Sequence, residues 1–354
     1  MARSINCQLL ELARLSRKLS QTEAARLLNI SQGKLCKAET GQQDISEDIL
    51  NRIVQLYGYP AEFFYQDHDS SPEGHMYFRR RLTESKKTID AFLANIKICK
   101  LAIDKLLKPI ELPDFTIGSY DVNIDSPDEI ARKVRYQLRI PKGPIPDLVG
   151  LLENNGIVIV KLNFGTEKID GLSTITQAGN KVIFLNETMP NDRIRYSLAH
   201  ELGHMLMHLE HPPKFMESVE DEADLFASEF LMPQAEIAPL LSDLSWPALA
   251  DLKRYWRVSM RSLVRRAYSL EIIDKVKYRQ LQIRFSQKGY NRKEPINLPI
   301  ENPSIIRETI DLYKTNLGYT DADIQKVLFL NENEYNQWLA KRPKIVSFSI
   351  SKSS

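Results

Sequence analysis

Apolar positions along the chain follow several distinct rhythms. Ile89, Phe92, Ile96, Cys99, Ile103 and Leu106 recur at three- and four-residue spacing, which predicts an amphipathic helix over 84–107. "GIVIVKLN" (156–163) and "KVIFLN" (181–186) are β-branched runs bounded by Gly and Asn and predict strands; "GLSTI" (171–175) predicts a shorter third. "SPDE" (126–129) supplies an N-cap Ser, a first-turn Pro and an N3 Glu, announcing a helix to about Leu138. Helical spacing resumes after Met189 through Leu231, and again over 244–341 with an interruption at "GYNRKEPINLPIENP" (289–303). Residues 1–66 alternate short helical patterns with polar turns, and "QDHDSSPEG" (66–74) then reads as a linker. The expected organisation is multidomain and mainly α: a helical head over 1–66, linker and amphipathic helix over 67–110, an α+β domain over 111–243, and a mostly helical, basic region over 244–354.

Composition narrows this only slightly. With 354 residues, 43% hydrophobic and 27% charged, the chain reads as an ordinary globular protein of more than one domain. Cys7, Cys36 and Cys99 form no paired framework, which favours a reducing compartment. No apolar run approaches a membrane span and the N-terminus lacks a signal-peptide core, so a cytoplasmic protein without a membrane partner is expected. The net charge of +2 hides two basic segments: 76–110 has nine Lys/Arg against three Asp/Glu, and 252–293 has thirteen against two. Such density attracts nucleic-acid phosphates, unless the cations form a solvated face or pair with acids elsewhere in the chain.

"YSLAHELGHMLMH" (196–208) concentrates three of the chain's six histidines in thirteen positions. Ile194, Leu198, Leu202, Met205 and Leu209 form an apolar stripe, and His200 and His204 project from the opposite side. Histidines four apart lie on one helix face and can converge on one tetrahedral metal. Glu201 beside them is placed to take a proton from a metal-activated water, the logic of the HExxH signature. Downstream, "ESVEDEADLFASEFLMP" (217–233) predicts a second helix with Glu217, Glu220, Glu222 and Asp224. Glu220 and Asp224 share a face, so one could ligate zinc while the other orients a histidine. Glu222 is the rival for third ligand. His208 continues the spacing but drifts about 40° per step, toward the margin of the site. Tyr196, one turn before His200, is either an oxyanion donor or a packing residue.

"RYSLAHELGHMLMH" followed by "EDEADLFASEFLMP" resembles the ImmA/IrrE family of zinc metallopeptidases, over about residues 156–235. The resemblance implies a zincin-like (gluzincin) α+β domain holding Zn2+. His200, His204 and Glu220 would be the ligands and Glu201 the catalytic base. Asp224 stands where that family often has Asn.

"LLELARLSRKLSQTEAARLLNISQGKLCKAETG" (9–41) has a different logic. Ser20 and Glu23 form a capping box, "NIS" makes a tight turn, and Ser31 can cap the next helix. Two short helices across such a turn form a helix-turn-helix whose second helix can enter the major groove. This stretch resembles the Cro/repressor (XRE-type) DNA-binding domains over roughly residues 5–65, with Ile45, Leu50, Ile53 and Leu56 closing an all-α core. The DNA-facing set would be Gln21 on backbone phosphate, Gln32 on a base edge, and Ser31, Lys34 and Lys37 alongside.

Together these readings describe a regulator that binds a double-stranded operator and cleaves a protein substrate such as a repressor or antitoxin. The alternative is a non-catalytic transcription factor that uses the peptidase fold as a sensor or interaction module. The 84–107 stripe offers a surface for a homodimer.

Overall fold

The computed structural model describes residues 4–67, 85–211, 218–290 and 293–340. Most of the expected linker (68–74), Arg79, Arg80 and Arg81 of the first basic segment, Glu217 and the chain beyond 340 lie outside the described residues.

The head consists of α1 (Cys7–Ser16), α2 (Gln21–Leu27), α3 (Gln32–Glu39) and α4 (Glu47–Tyr57). Ser20 and Glu23 cap α2 reciprocally, and the Ser31 hydroxyl accepts from the Lys34 N–H to cap α3. Between them Asn29 adopts φ 52°, a left-handed conformation that Asn tolerates better than other side chains. Leu35, Leu50 and Ile53 are buried in the head's core, and Ile30, Ile45 and Leu56 pack against it.

Next come α5 (Lys86–Leu107), α6 (Pro127–Gln137), α7 (Leu148–Glu153), β1 (Ile157–Leu162), β2 (Gly171–Ile175) and β3 (Lys181–Asn186). They are followed by α8 (Asn191–Met207), α9 (Val219–Leu231), α10 (Gln234–Ile237), α11 (Trp246–Trp256), α12 (Met260–Ser269) and α13 (Lys275–Gln287). The last helices are α14 (Ile305–Leu317), α15 (Asp321–Leu328) and α16 (Glu332–Trp338). The fold is thus mainly α with one small α+β portion. No helix among the described residues is long and apolar enough to cross a membrane.

The sheet has the order β1-β3-β2, with β1 parallel and β2 antiparallel to β3. Because side chains alternate along a strand, Val158, Val160, Val182 and Phe184 face one core while Ile157, Ile159, Ile183 and Leu185 face the other. Both faces are buried, which is why these strands read as unbroken apolar runs. The first core holds the head, α5 and α14–α16; the second holds α6–α9 and α11–α13. The described part of 244–354, expected as one region, therefore contributes to both cores.

Helix α5 packs against α1, α14 and α15. Its Ile96, Cys99, Ile103 and Leu106 are covered by the same chain, so the stripe that suggested a dimer is spent internally. The head is also stitched to α16. Arg17 and the Tyr59 hydroxyl both bond to Glu334 Oε1 at 2.6 Å, with the guanidinium 4.5 Å above the Tyr59 ring.

Candidate metal centre

Helix α8 packs against β2 and β3 and also against α9, so its polar residues are enclosed rather than solvated. Gly203, inside the HELGH run, permits the close approach of α9: a Cβ there would stand 3.0 Å from Phe226 Cδ1. The approach brings His200 Nε2 within 3.6 Å of Glu220 Oε2, and His204 Nε2 within 3.6 Å of Glu220 Oε1. The two imidazole Nε2 atoms are 3.0 Å apart. These three residues form the metal-competent cluster among the described residues. Tetrahedral zinc with bonds of about 2.0–2.1 Å separates its ligand atoms by roughly 3.4 Å, so the spacing fits. Glu220 Oε2 is buried and without a hydrogen-bond partner, an acceptor left for a cation.

Around this centre each group has a defined neighbour. Asp224 lies on the same face of α9 as Glu220, one turn on; its Oδ1 is 3.0 Å from His200 Nδ1, and its Oδ2 accepts from Arg265 of α12 at 2.6 Å. The carboxylate holds the Nδ1 proton of His200 and turns the Nε2 lone pair inward. Glu222, two residues from Glu220 and so on another face, instead meets His208 at 2.8 Å. His208 is fully buried, and its Nδ1 is 3.0 Å from His204 Nδ1. The margin expected for it is part of the enclosed site.

Glu201 is buried beneath β2, and its Oε2 has no hydrogen-bond partner. A Cβ on Gly171 would come within 2.7 Å of Glu201 Cγ, so the strand passes too close to admit any side chain. In the absence of a cation, burial raises the Glu201 carboxyl to about 8 despite the nearby His200. Burial likewise lowers His204 to about 4. For His200 burial is outweighed by the bonds to Asp224 and Glu220, which lift it to about 9. Glu220, against its own burial, is held far below the usual carboxylate range by the two imidazoles. A divalent cation would replace the protons that this cluster otherwise shares, and would draw Glu201 down.

Tyr196, expected as either an oxyanion donor or a packing residue, lies between two helices. Its hydroxyl donates to the Asp224 carbonyl at 3.1 Å and lies 3.0 Å from the Ser228 hydroxyl. A phenol has one proton, and here a carbonyl takes it, so the residue joins α8 to α9.

The residues expected to face DNA lie apart, on the head. Gln32 and Lys37 are exposed and Lys34 half-exposed on α3. Gln21, expected on backbone phosphate, has its Nε2 donating to Glu39 at 2.9 Å and its Oε1 accepting from Gln32 at 2.8 Å. Glu39 is itself clamped by Arg14 at 2.6 and 2.8 Å, so a buried ion pair braces the amide pair. The bond to Gln21 uses one of the two N–H groups of Gln32.

Sequence reasoning missed Arg265, the His208–Glu222 pair and the role of Gly171. The arginine belonged to a basic run open to two readings, a phosphate-attracting surface or pairing with acids elsewhere in the chain, and that run divides. Lys253 is buried between Asp192 and Glu294, Arg266 bonds to Glu229, and Arg265 to Asp224. Lys275, Lys277, Arg279 and Arg284 of α13 remain exposed.

A helical head with a recognition helix, joined to a small α+β domain built on a histidine helix, defines a DNA-binding regulator with a peptidase-like domain. Residues 8–62 match the family model of a helix-turn-helix domain, and residues 152–268 match that of the IrrE N-terminal-like domain, a peptidase family. The chain thus carries both domains in one polypeptide. No curated protein matches it.

Proposed function

We propose that the protein is a transcriptional regulator whose second domain is a zinc-dependent metalloendopeptidase acting on a partner protein such as a repressor or antitoxin. The observation that carries this reading is the convergence of His200, His204 and Glu220 with a buried, partnerless Glu201 carboxylate oxygen beside them. Zn2+, when bound, supplies Lewis acidity and lowers the pKa of a water from near 16 to about 7. Glu201 then accepts a proton from the attacking water and delivers it to the leaving amide nitrogen. Asp224 keeps His200 in the ligating tautomer, and Arg265 fixes Asp224. Gln32, braced by Gln21, reads a base edge in the operator, while Lys34, Lys37 and the Ser31 region meet its backbone.

The test is Glu201→Gln in the full chain, co-expressed with candidate repressors. Gln keeps the size of the side chain and removes the base, so zinc and operator binding should persist while the partner's cleavage fragment disappears from the mass spectrum. Uncleaved partner should accumulate in complex. Full regulation by the variant, with no fragment from either protein, would sink the enzyme reading in favour of a metal-dependent sensor.

A further inference from the structure

The two histidines of the centre are supported differently. His200 presents its Nδ1 to a carboxylate directly, at Asp224. The Nδ1 of His204 faces another imidazole, that of His208, whose far nitrogen meets Glu222. Nothing in the HExxH spacing asks for this second imidazole.

Hydrogen-bond polarity gives it work. A carboxylate can only accept, so at 2.8 Å from Glu222 Oε2 the Nε2 of His208 must carry the proton. A neutral imidazole has one N–H, which leaves His208 Nδ1 with a lone pair. Across 3.0 Å the His204 Nδ1 must then be the donor. Its proton is committed there, and the His204 Nε2 turns a lone pair toward His200 and Glu220. The reverse polarity would put the proton on His204 Nε2, inside the metal cluster, and close it to a cation. Backbone geometry assists: His208 is the C-cap of α8, at φ −118°, with its N–H still on the His204 carbonyl. It stays one turn from His204 while leaving regular helix, in reach of both that ring and α9.

We infer that His208, anchored by Glu222, is a positioning residue that sets the tautomer of His204 and aims its Nε2 at the metal. The inference rests on the reading of the cluster as a zinc centre. It assigns Glu222, the rival for third ligand, to the outer end of a two-step relay. The ligands are then oriented from opposite sides, His200 by Asp224 with Arg265 and His204 by His208 with Glu222. Carboxylate charge reaches the first ligand directly and the second through a ring.

Tautomers can be read directly. In zinc-loaded full-length protein labelled with 15N-histidine, two-bond nitrogen–proton correlations should show His208 as the Nε2–H form and His204 as the Nδ1–H form. His208→Gln assigns the signals. A His208 Nδ1–H form, or a doubly protonated ring, overturns the inference. Metal affinity gives the second readout. His208→Phe should weaken zinc binding about 10- to 100-fold and shift the cobalt(II) absorption bands. His208→Gln, whose amide oxygen can accept from His204, should recover most of both. A folded His208→Phe with unchanged affinity and spectrum counts against the proposal. Wild-type protein that takes up no zinc overturns the metal reading and this inference with it, whereas zinc held with the wrong tautomers overturns the inference alone.

Discussion

In the candidate metal centre three buried imidazoles each have a fixed neighbour, whereas on α3 the side chains facing outward are exposed, with Gln32 donating a hydrogen bond to Gln21 of α2. The difference follows from where each site meets its ligand. A cation enclosed by protein cannot be recruited by flexible groups, because unpaired buried polar atoms are costly and must be oriented in advance. A DNA groove approaches a helix-turn-helix surface from outside, so side chains meant to read it can stay exposed and be braced only at their bases. Arg14, Glu39 and Gln21 provide that brace beneath Gln32.

Perturbing the enclosed site should therefore be the more severe. Gly171→Ala places a Cβ against Glu201, which has to move. Misplacing a general base by about an ångström costs on the order of 100-fold in kcat, and zinc content should remain that of wild type. Normal turnover by this variant would show that β2 does not position Glu201.

On the open site the effects should be smaller and should separate by type. Gln32→Ala is expected to lose about 1–3 kcal/mol of discrimination at one base pair. Lys37→Ala should weaken all duplexes alike and reduce the salt slope by about 1. Salt-controlled titrations distinguish the two; indifference to both changes would transfer DNA binding to exposed cations such as those of α13.

The smallest expected change is in the scaffold of the head. Ser20→Ala removes the α2 cap and should cost about 1 kcal/mol in denaturant unfolding. Ser20's backbone N–H and hydroxyl hold the Glu23 carboxyl near 2, below its ordinary 4.5. A depressed carboxyl contributes above its unfolded value, so this stabilisation is present at neutral pH and fades as pH falls from 4.5 toward 2. Acid sensitivity of wild type and Ser20→Ala should differ only in that window.

Legibility in the sequence tracks the same contrast. His200, Glu201 and His204 could be read because one helix imposes their spacing, and Ser20 and Ser31 because caps act over three residues. The strands were visible because both faces of the sheet are apolar. Pairings between distant segments were not visible. Arg265 looks like any other cation in a basic run until α12 is seen against α9. Gly171 is an unremarked strand glycine until β2 lies over Glu201. The stripe on α5 was evident from its periodicity, but periodicity does not say what covers it, and here α1, α14 and α15 do.

The central claim is that His200, His204 and Glu220 hold one zinc ion. Elemental analysis of purified full-length wild type, His204→Ala, Glu220→Gln and Glu222→Gln tests it most directly. The account predicts about one zinc per wild-type chain. It further predicts near-complete loss in His204→Ala and Glu220→Gln, and retained stoichiometry with weaker affinity in Glu222→Gln. Equal zinc in wild type and His204→Ala would remove the histidine helix from the site, and loss in Glu222→Gln but not Glu220→Gln would exchange the third ligand.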